Sequence, residues 1–201
     1  MTNALRLLAA LALVLAVPVH AQTSAAGPHR QSGPRVGVTF LSPGVVDQIN
    51  AAVHEGGVGA QIDSGFPVVT QVGWQFEFQT FQTDGGLTGV TEIVPLLSGL
   101  ERGLVIPNLT WVIGLRTRGG LEAGIGPNVT LSLREADPLP PDVYAEQSPV
   151  AADVRVGLAL VAGVNARMEG VSVPVNAAVV LGERGPRVSL LVGLNVSERR
   201  Y

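Results

Sequence analysis

The chain has 201 residues, a formal net charge of −3 and a pI near 5.6, and it is charged at only 14% of positions, against about 25% in an ordinary soluble domain. The acidic balance argues against nucleic acid as a partner, and the lack of cysteine excludes disulfides and a lipidated N-terminal cysteine. All thirteen basic residues are arginines.

The first segment, MTNALRLLAALALVLAVPVHA, places Arg6 ahead of an apolar run from Leu7 to Val17, then Val19-His20-Ala21. That order reads as a secretory signal peptide over 1–21, too short to serve as a spanning helix. A small, polar, flexible leader follows over 22–34, and 35–201 reads as one β-barrel domain. RVGVTFL (35–41) predicts a strand. SPGVVDQINAAVH then changes period: Ser42 caps, Pro43 suits a first turn, and Val45, Val46, Ile49 and Val53 share a side, which predicts a helix over 43–54.

From residue 68 the period is two. In VVTQVGWQFEFQT, Val72, Trp74, Phe76 and Phe78 alternate with Gln71, Gly73, Gln75 and Glu77. LVIPNLTWVIGLRT aligns Leu109, Trp111, Ile113 and Leu115. GGLEAGIGPNVTLSL sets Leu121, Ile125, Val129, Leu131 and Leu133 against glycine and polar residues. VRVGLALVAGVNARM, VSVPVNAAVVL and RVSLLVGLNV continue the pattern, whereas Glu92 and Pro95 interrupt it in LTGVTEIVPLLSGL. Eight strands result, near 35–41, 68–81, 88–98, 104–117, 119–133, 154–168, 171–181 and 187–197. The predicted fold class is all-β, an eight-stranded antiparallel up-and-down barrel with one short helix in its first long connection.

Across the six clear strands one face is apolar and uncharged. The other carries Gly, Ala, Ser, Asn and Gln with isolated charges, where a soluble sheet facing water would carry many more. The small face suits a narrow lumen, with Glu77, Arg116, Glu122, Arg155, Arg167 and Arg187 as candidates for a charge network within it. The apolar face, with Trp74, Phe76, Phe78, Trp111 and Leu131, would then meet lipid, and membrane lipid is the expected partner. The predicted connections 42–67, 99–103, 134–153 and 182–186 all fall at one end of the barrel. The short ones (82–87, the turn near Arg118, and 169–170) fall at the other, an asymmetry typical of outer-membrane barrels.

With these residues in view, the chain resembles the small eight-stranded outer-membrane β-barrel proteins of Gram-negative bacteria. LTWVIGLRTRGGLEAGIGPN and VPVNAAVVLGERGPRVSLLVGLNV also look like segments of predicted barrels among exported bacterial proteins. The resemblance covers the whole mature chain by pattern and has no diagnostic motif. It implies a fold and a place in the outer membrane, and no activity. Three features depart from it: SERR precedes the terminal Tyr201, Pro107, Pro127 and Pro174 fall inside strands, and the first strand is short.

Chemistry is sparse. His29 and His54 lack partners at metal or catalytic spacing, and Gly124-x-Gly126 lies within a strand, where its expected role is to leave lumen space. Ser64, His54 and Asp63 share the first long connection without a spacing that marks a catalytic group. Glu135, Asp137, Asp142, Glu146 and Asp153 are weak metal candidates in a proline-rich connection that reads first as a solvated loop. Asn108, Asn128 and Asn195 begin Asn-x-Ser/Thr triplets inside strands, and Asn128→Ser is expected to be tolerated.

The expected function is non-enzymatic and cofactor-free: an envelope-structural, adhesive or surface-interaction role through loops 42–67 and 134–153, over a side-chain-filled lumen. The alternative is a soluble exported barrel or sandwich, periplasmic or secreted, whose Trp74, Phe76, Phe78 and Trp111 line an apolar ligand cavity.

Overall fold

The computed structural model of the chain describes residues 32–56, 60–135, 150–168 and 171–196. The predicted signal peptide, most of the leader and Tyr201 lie outside them. Eight antiparallel strands form a closed barrel: β1 (Gly33–Leu41), β2 (Val68–Gln82), β3 (Thr88–Ser98), β4 (Ile106–Arg116), β5 (Leu121–Glu135), β6 (Val150–Met168), β7 (Val171–Gly182) and β8 (Gly185–Gly193). Past Leu194, β8 resumes as Asn195–Val196 and keeps its register against β7. Each strand pairs with its neighbour in sequence, and β1 closes the ring on β8. Among the described residues one α-helix, α1 (Pro43–Gly56), follows β1.

The strands are strongly tilted. Partners taken in turn from Arg35, near the start of β1, run through Gly73, Leu96, Asn108 and Thr130 to Arg155, near the start of the oppositely directed β6. Such stagger is what closing eight strands requires. The connections 83–87, 117–120 and 169–170 mark the turn end of the barrel. The connections 42–67, 99–105, 136–149 and 183–184 mark the opposite, helix end.

Several boundaries differ from those predicted. β1 begins at Gly33, because Gly33 and Pro34 face Gln75 and Trp74 across the ladder. The β5–β6 hairpin is taller than its polar tip suggested: Glu135 faces Val150 and Ser132 faces Asp153, so paired backbone extends into the predicted 134–153 loop. The irregular alternation of 88–98 has a packing cause. The lumen face of β3 places Val94 and Leu96 against Leu191, so both faces of that strand are partly apolar.

The prolines within strands do not create bulges; the described irregularity is at Gln79/Phe81. Instead, pairing lapses where the missing N–H falls, between Gly73↔Leu96 and Phe76↔Ile93 beside Pro95, and between Thr110↔Asn128 and Ile113↔Ile125 beside Pro127. At each lapse a glycine lets the backbones approach. A Cβ on Gly73 would overlap the Pro95 carbonyl oxygen, and one on Gly126 the Trp111 carbonyl oxygen. The role expected of Gly126, leaving lumen space, is therefore corrected to strand approach. At Gly124 an added Cβ would meet the lumen side chain of Val112, so crowding within the barrel does set that residue.

At the helix end α1 crosses from β1 to β5, which stands opposite β1 in an eight-strand ring. Val46 and Val53 join Leu41, Ile62, Val69 and Leu104 in a buried apolar cluster. Asn50 ties the helix to the following segment, donating from Nδ2 to the Ile62 carbonyl at 2.9 Å and accepting the Ile62 N–H at 2.6 Å. The helix therefore lies over the mouth of the barrel. Gly126→Ala is expected to abolish folding into the barrel, whereas Gly119→Ala, in an uncrowded turn, leaves it unchanged. Recovery of protease-resistant protein after refolding of both variants checks this.

Candidate functional site

Strand parity sorts the side chains into two populations. On the outer wall Trp74, Phe76, Phe78, Trp111 and Leu131 are 40–60% exposed, together with Ile113, Leu115, Ile125, Leu158 and Leu160. On the inner wall Arg35, Glu77, Glu92, Arg116, Glu122, Asn128 and Asn176 are buried. The alternative in which the four aromatics line an interior cavity is therefore corrected: their rings stand on the outside, because even residues of β2 and odd residues of β4 point away from the lumen.

Arg116 organises the turn end of the lumen. Its Nη1 and Nη2 donate to Glu77 Oε1 and Oε2 at 2.7 and 2.6 Å, and its Nε donates to Glu122 Oε2 at 2.8 Å. Asn176 Nδ2, from β7, reaches past Gly163 of β6 and donates to the other Glu122 oxygen at 2.8 Å. Glu92 is 3.6 Å from Arg116 and directly faces Glu77 on the ladder. Two carboxylates directly opposite repel, and the guanidinium between them makes the arrangement tenable.

Two members of this lumen were missing from the sequence analysis. Arg35, 1% exposed, donates from Nε to Gln75 Oε1 and from Nη1 to Asn195 Oδ1, both at 2.8 Å. Glu92 registered only as an interruption of its strand. Parity would have located both: Arg35 alternates with Val36 and shares its face with Gly37 and Thr39, and Glu92 shares its face with Thr88 and Ser98.

The predicted charge network divides into two groups. Glu77, Arg116 and Glu122 meet at the turn end. Arg187 stands nearer the helix end, where Nη1 donates to Thr130 Oγ1 at 2.9 Å and Nη2 to Asn128 Oδ1 at 2.8 Å. Arg155 and Arg187 line one chamber near α1. The Arg167 side chain lies outside the described residues. Asn128 also donates to Thr110 Oγ1 at 2.8 Å and accepts from Thr130 at 3.1 Å. Tolerance of Asn128→Ser is thus corrected, since serine cannot bridge these partners.

Between the two groups lies a chamber of about 50 Å³. Arg35 Nη2, Gln71 Oε1, Glu92 Oε1 and Asn176 Oδ1, each without a protein hydrogen-bond partner, belong to residues lining it. Its size and polarity suit a few ordered waters.

The 99–105 connection is knitted to the 60–68 segment. Ala60 N donates to the Arg102 carbonyl, Arg102 Nη1 to the Gln61 carbonyl, and the Thr70 amide and hydroxyl to Glu101. Partial burial pushes the Glu101 carboxyl up, but the two Thr70 donors, its own amide and Arg102 together hold it below the usual carboxylate range. Asp63 accepts from the Gly65 amide in an exposed turn, and the His54 side chain lies outside the described residues, so no Ser64–His54–Asp63 grouping is described. Asp137, Asp142 and Glu146 also lie outside, as do the side chains of Glu135 and Asp153. Among the described residues no cluster of His, Asp and Glu is arranged to hold a metal ion.

No family model and no curated protein matches the sequence. Among solved structures the chain is similar to Ail, the attachment invasion locus protein of Yersinia pestis, solved with the heparin analogue sucrose octasulfate. The alignment covers 84% of this chain and 99% of that one, at 10% identity and a TM-score of 0.31. At that level of likeness no function passes from one to the other.

Arg116→Met is expected to cost about 3–5 kcal/mol, because it strands buried carboxylates without their cation. Asn128→Ser is expected to cost about 1–3 kcal/mol through unsatisfied lumen partners. Urea unfolding midpoints of the refolded variants check both.

Proposed function

We propose that this protein is an outer-membrane β-barrel without enzymatic activity, serving envelope integrity or surface interaction through the connections at its helix end. One observation carries the reading: the barrel is inverted relative to a soluble one. Its ionisable groups (Arg35, Glu77, Glu92, Arg116 and Glu122) are buried inside, while its large apolar side chains stand exposed on the outer wall. In water such a wall would be a very large exposed apolar surface, far beyond what soluble monomers tolerate. In hydrocarbon it is the lowest-energy arrangement, because every strand is paired around the ring and no edge remains along most of its height.

The distribution of connections supports the orientation. Short turns at the end where β1 begins suit the periplasmic side, and α1, the knitted 60–68 and 99–105 segments and the tall β5–β6 hairpin suit the outer surface. The lumen supports a structural role over a porin role: α1 covers one end, and the Arg116 cluster with Arg35 fills the other.

Fractionation of cells expressing the full chain is expected to recover it in outer membranes, resistant to urea and carbonate extraction. Release with periplasmic contents would contradict the reading. Leu131→Arg, which places a charge on the outer wall, is expected to lower its membrane level severely. An arginine near mid-depth costs about 2–4 kcal/mol there, and immunoblots of the fractions against Leu131→Val measure the loss.

A further inference from the structure

At the helix end the lumen widens into a chamber of about 350 Å³, within the size range of small-ligand sites. Its walls are of three kinds. The lumen face contributes Arg155 and Arg187. The roof, from α1 and nearby strand ends, is apolar: Leu41, Val45, Ile49, Val69 and Ile106. The third wall is an opening in the side of the barrel, bordered by Val154, Val156, Gly157 and the Gly182–Gly185 turn. Val154 and Val156 belong to the outer wall, at 58% and 64% exposed.

The opening has a cause in the ladder. Pairing of β6 with β7 starts at Leu158↔Leu181, and β7 ends at Gly182, whereas β6 begins at Val150 and is paired with β5 from that residue to Val164. Above Leu158, among the described residues, β6 therefore has a strand partner on one side only. The chamber communicates with the outer wall through that gap.

Charge sets what would settle there. Both Nη groups of Arg187 rest on the uncharged oxygens of Thr130 and Asn128. Glu183, exposed at the rim, is the one carboxylate among the described lining residues. The Arg187 guanidinium, partly withdrawn from water and resting on neutral acceptors among the described residues, favours an anion.

We propose that the chamber binds an anionic amphiphile, an acidic head on a single hydrocarbon chain, admitted sideways between β6 and the β7–β8 turn. The head rests on Arg187 in the field of Arg155, the first carbons lie under Val45 and Ile49, and the remaining chain leaves past Val154 and Val156 along the outer wall. The site goes beyond the proposed surface role and shares with it only the premise of a wall in lipid.

The test uses the full chain reconstituted in phosphatidylcholine nanodiscs and titrated with dodecyl phosphate, dodecyltrimethylammonium or inorganic phosphate, with the thermal unfolding midpoint as readout. Saturable stabilisation by dodecyl phosphate alone is expected. Its apparent dissociation constant should rise about tenfold or more in Arg187→Gln, the size of one lost charged contact, and recover in Arg187→Lys. Equal effects of the cationic amphiphile or of inorganic phosphate, no effect of any probe, or an unchanged response in Arg187→Gln would each overturn the site. The wild-type comparison needs no variant to fold. A protein that folds in plain buffer and still selects dodecyl phosphate would overturn the membrane reading and leave the site standing; an integral barrel that ignores it would do the reverse.

Discussion

Closing eight tilted strands into a ring commits each strand to one inward and one outward face along its whole length, and leaves an interior that side chains fill or that holds at most a small ligand. Every ionised group that parity sends inward must then find its partner among the few side chains across the lumen. Arg116 meets that demand at the turn end, where its fork engages Glu77 and its Nε engages Glu122, with Asn176 of β7 completing the second carboxylate. The rest of the lumen is arranged around that anchor: a small chamber above it, then Arg187 on its neutral acceptors, then the wider chamber near α1.

The two ends of the barrel differ in kind. At the turn end closure is electrostatic, by buried ion pairs that are weak as a source of net stability but costly to break singly. At the helix end it is hydrophobic, by α1 with Ile62 and Leu104, and it is incomplete where β6 outruns β7. A sealed base and a roofed, side-open top are a poor design for general diffusion. They suit a protein whose interactions take place at the surface and along its wall.

Much of this was legible in the residues. The alternation of 68–81, 121–133 and 154–168 specifies strands with unlike faces, and the change of period after Pro43 specifies the helix, because both periods follow from backbone geometry alone. The two-face pattern is also why Glu77, Arg116 and Glu122 could be grouped without coordinates. What stayed hidden depends on register and on contacts distant in sequence. Glu92 looked like a break in its strand because Val94 and Leu96 carry apolar packing into the lumen. The load on Asn128 arises from Arg187, 59 residues away. The part played by Gly126 comes from a Trp111 carbonyl on the adjacent strand, and the side opening follows from the unequal heights of β6 and β7, which no local pattern encodes.

Underlying the account is the claim that hydrocarbon covers the outer wall, and the two tryptophans of the chain offer a direct probe. Trp74 and Trp111 both stand on that wall, 44% and 51% exposed, so no inward tryptophan dilutes the signal. In vesicles of acyl-brominated phosphatidylcholine their fluorescence should be strongly quenched, while aqueous iodide leaves it nearly untouched. Emission indifferent to the brominated chains but quenched by iodide would contradict the account.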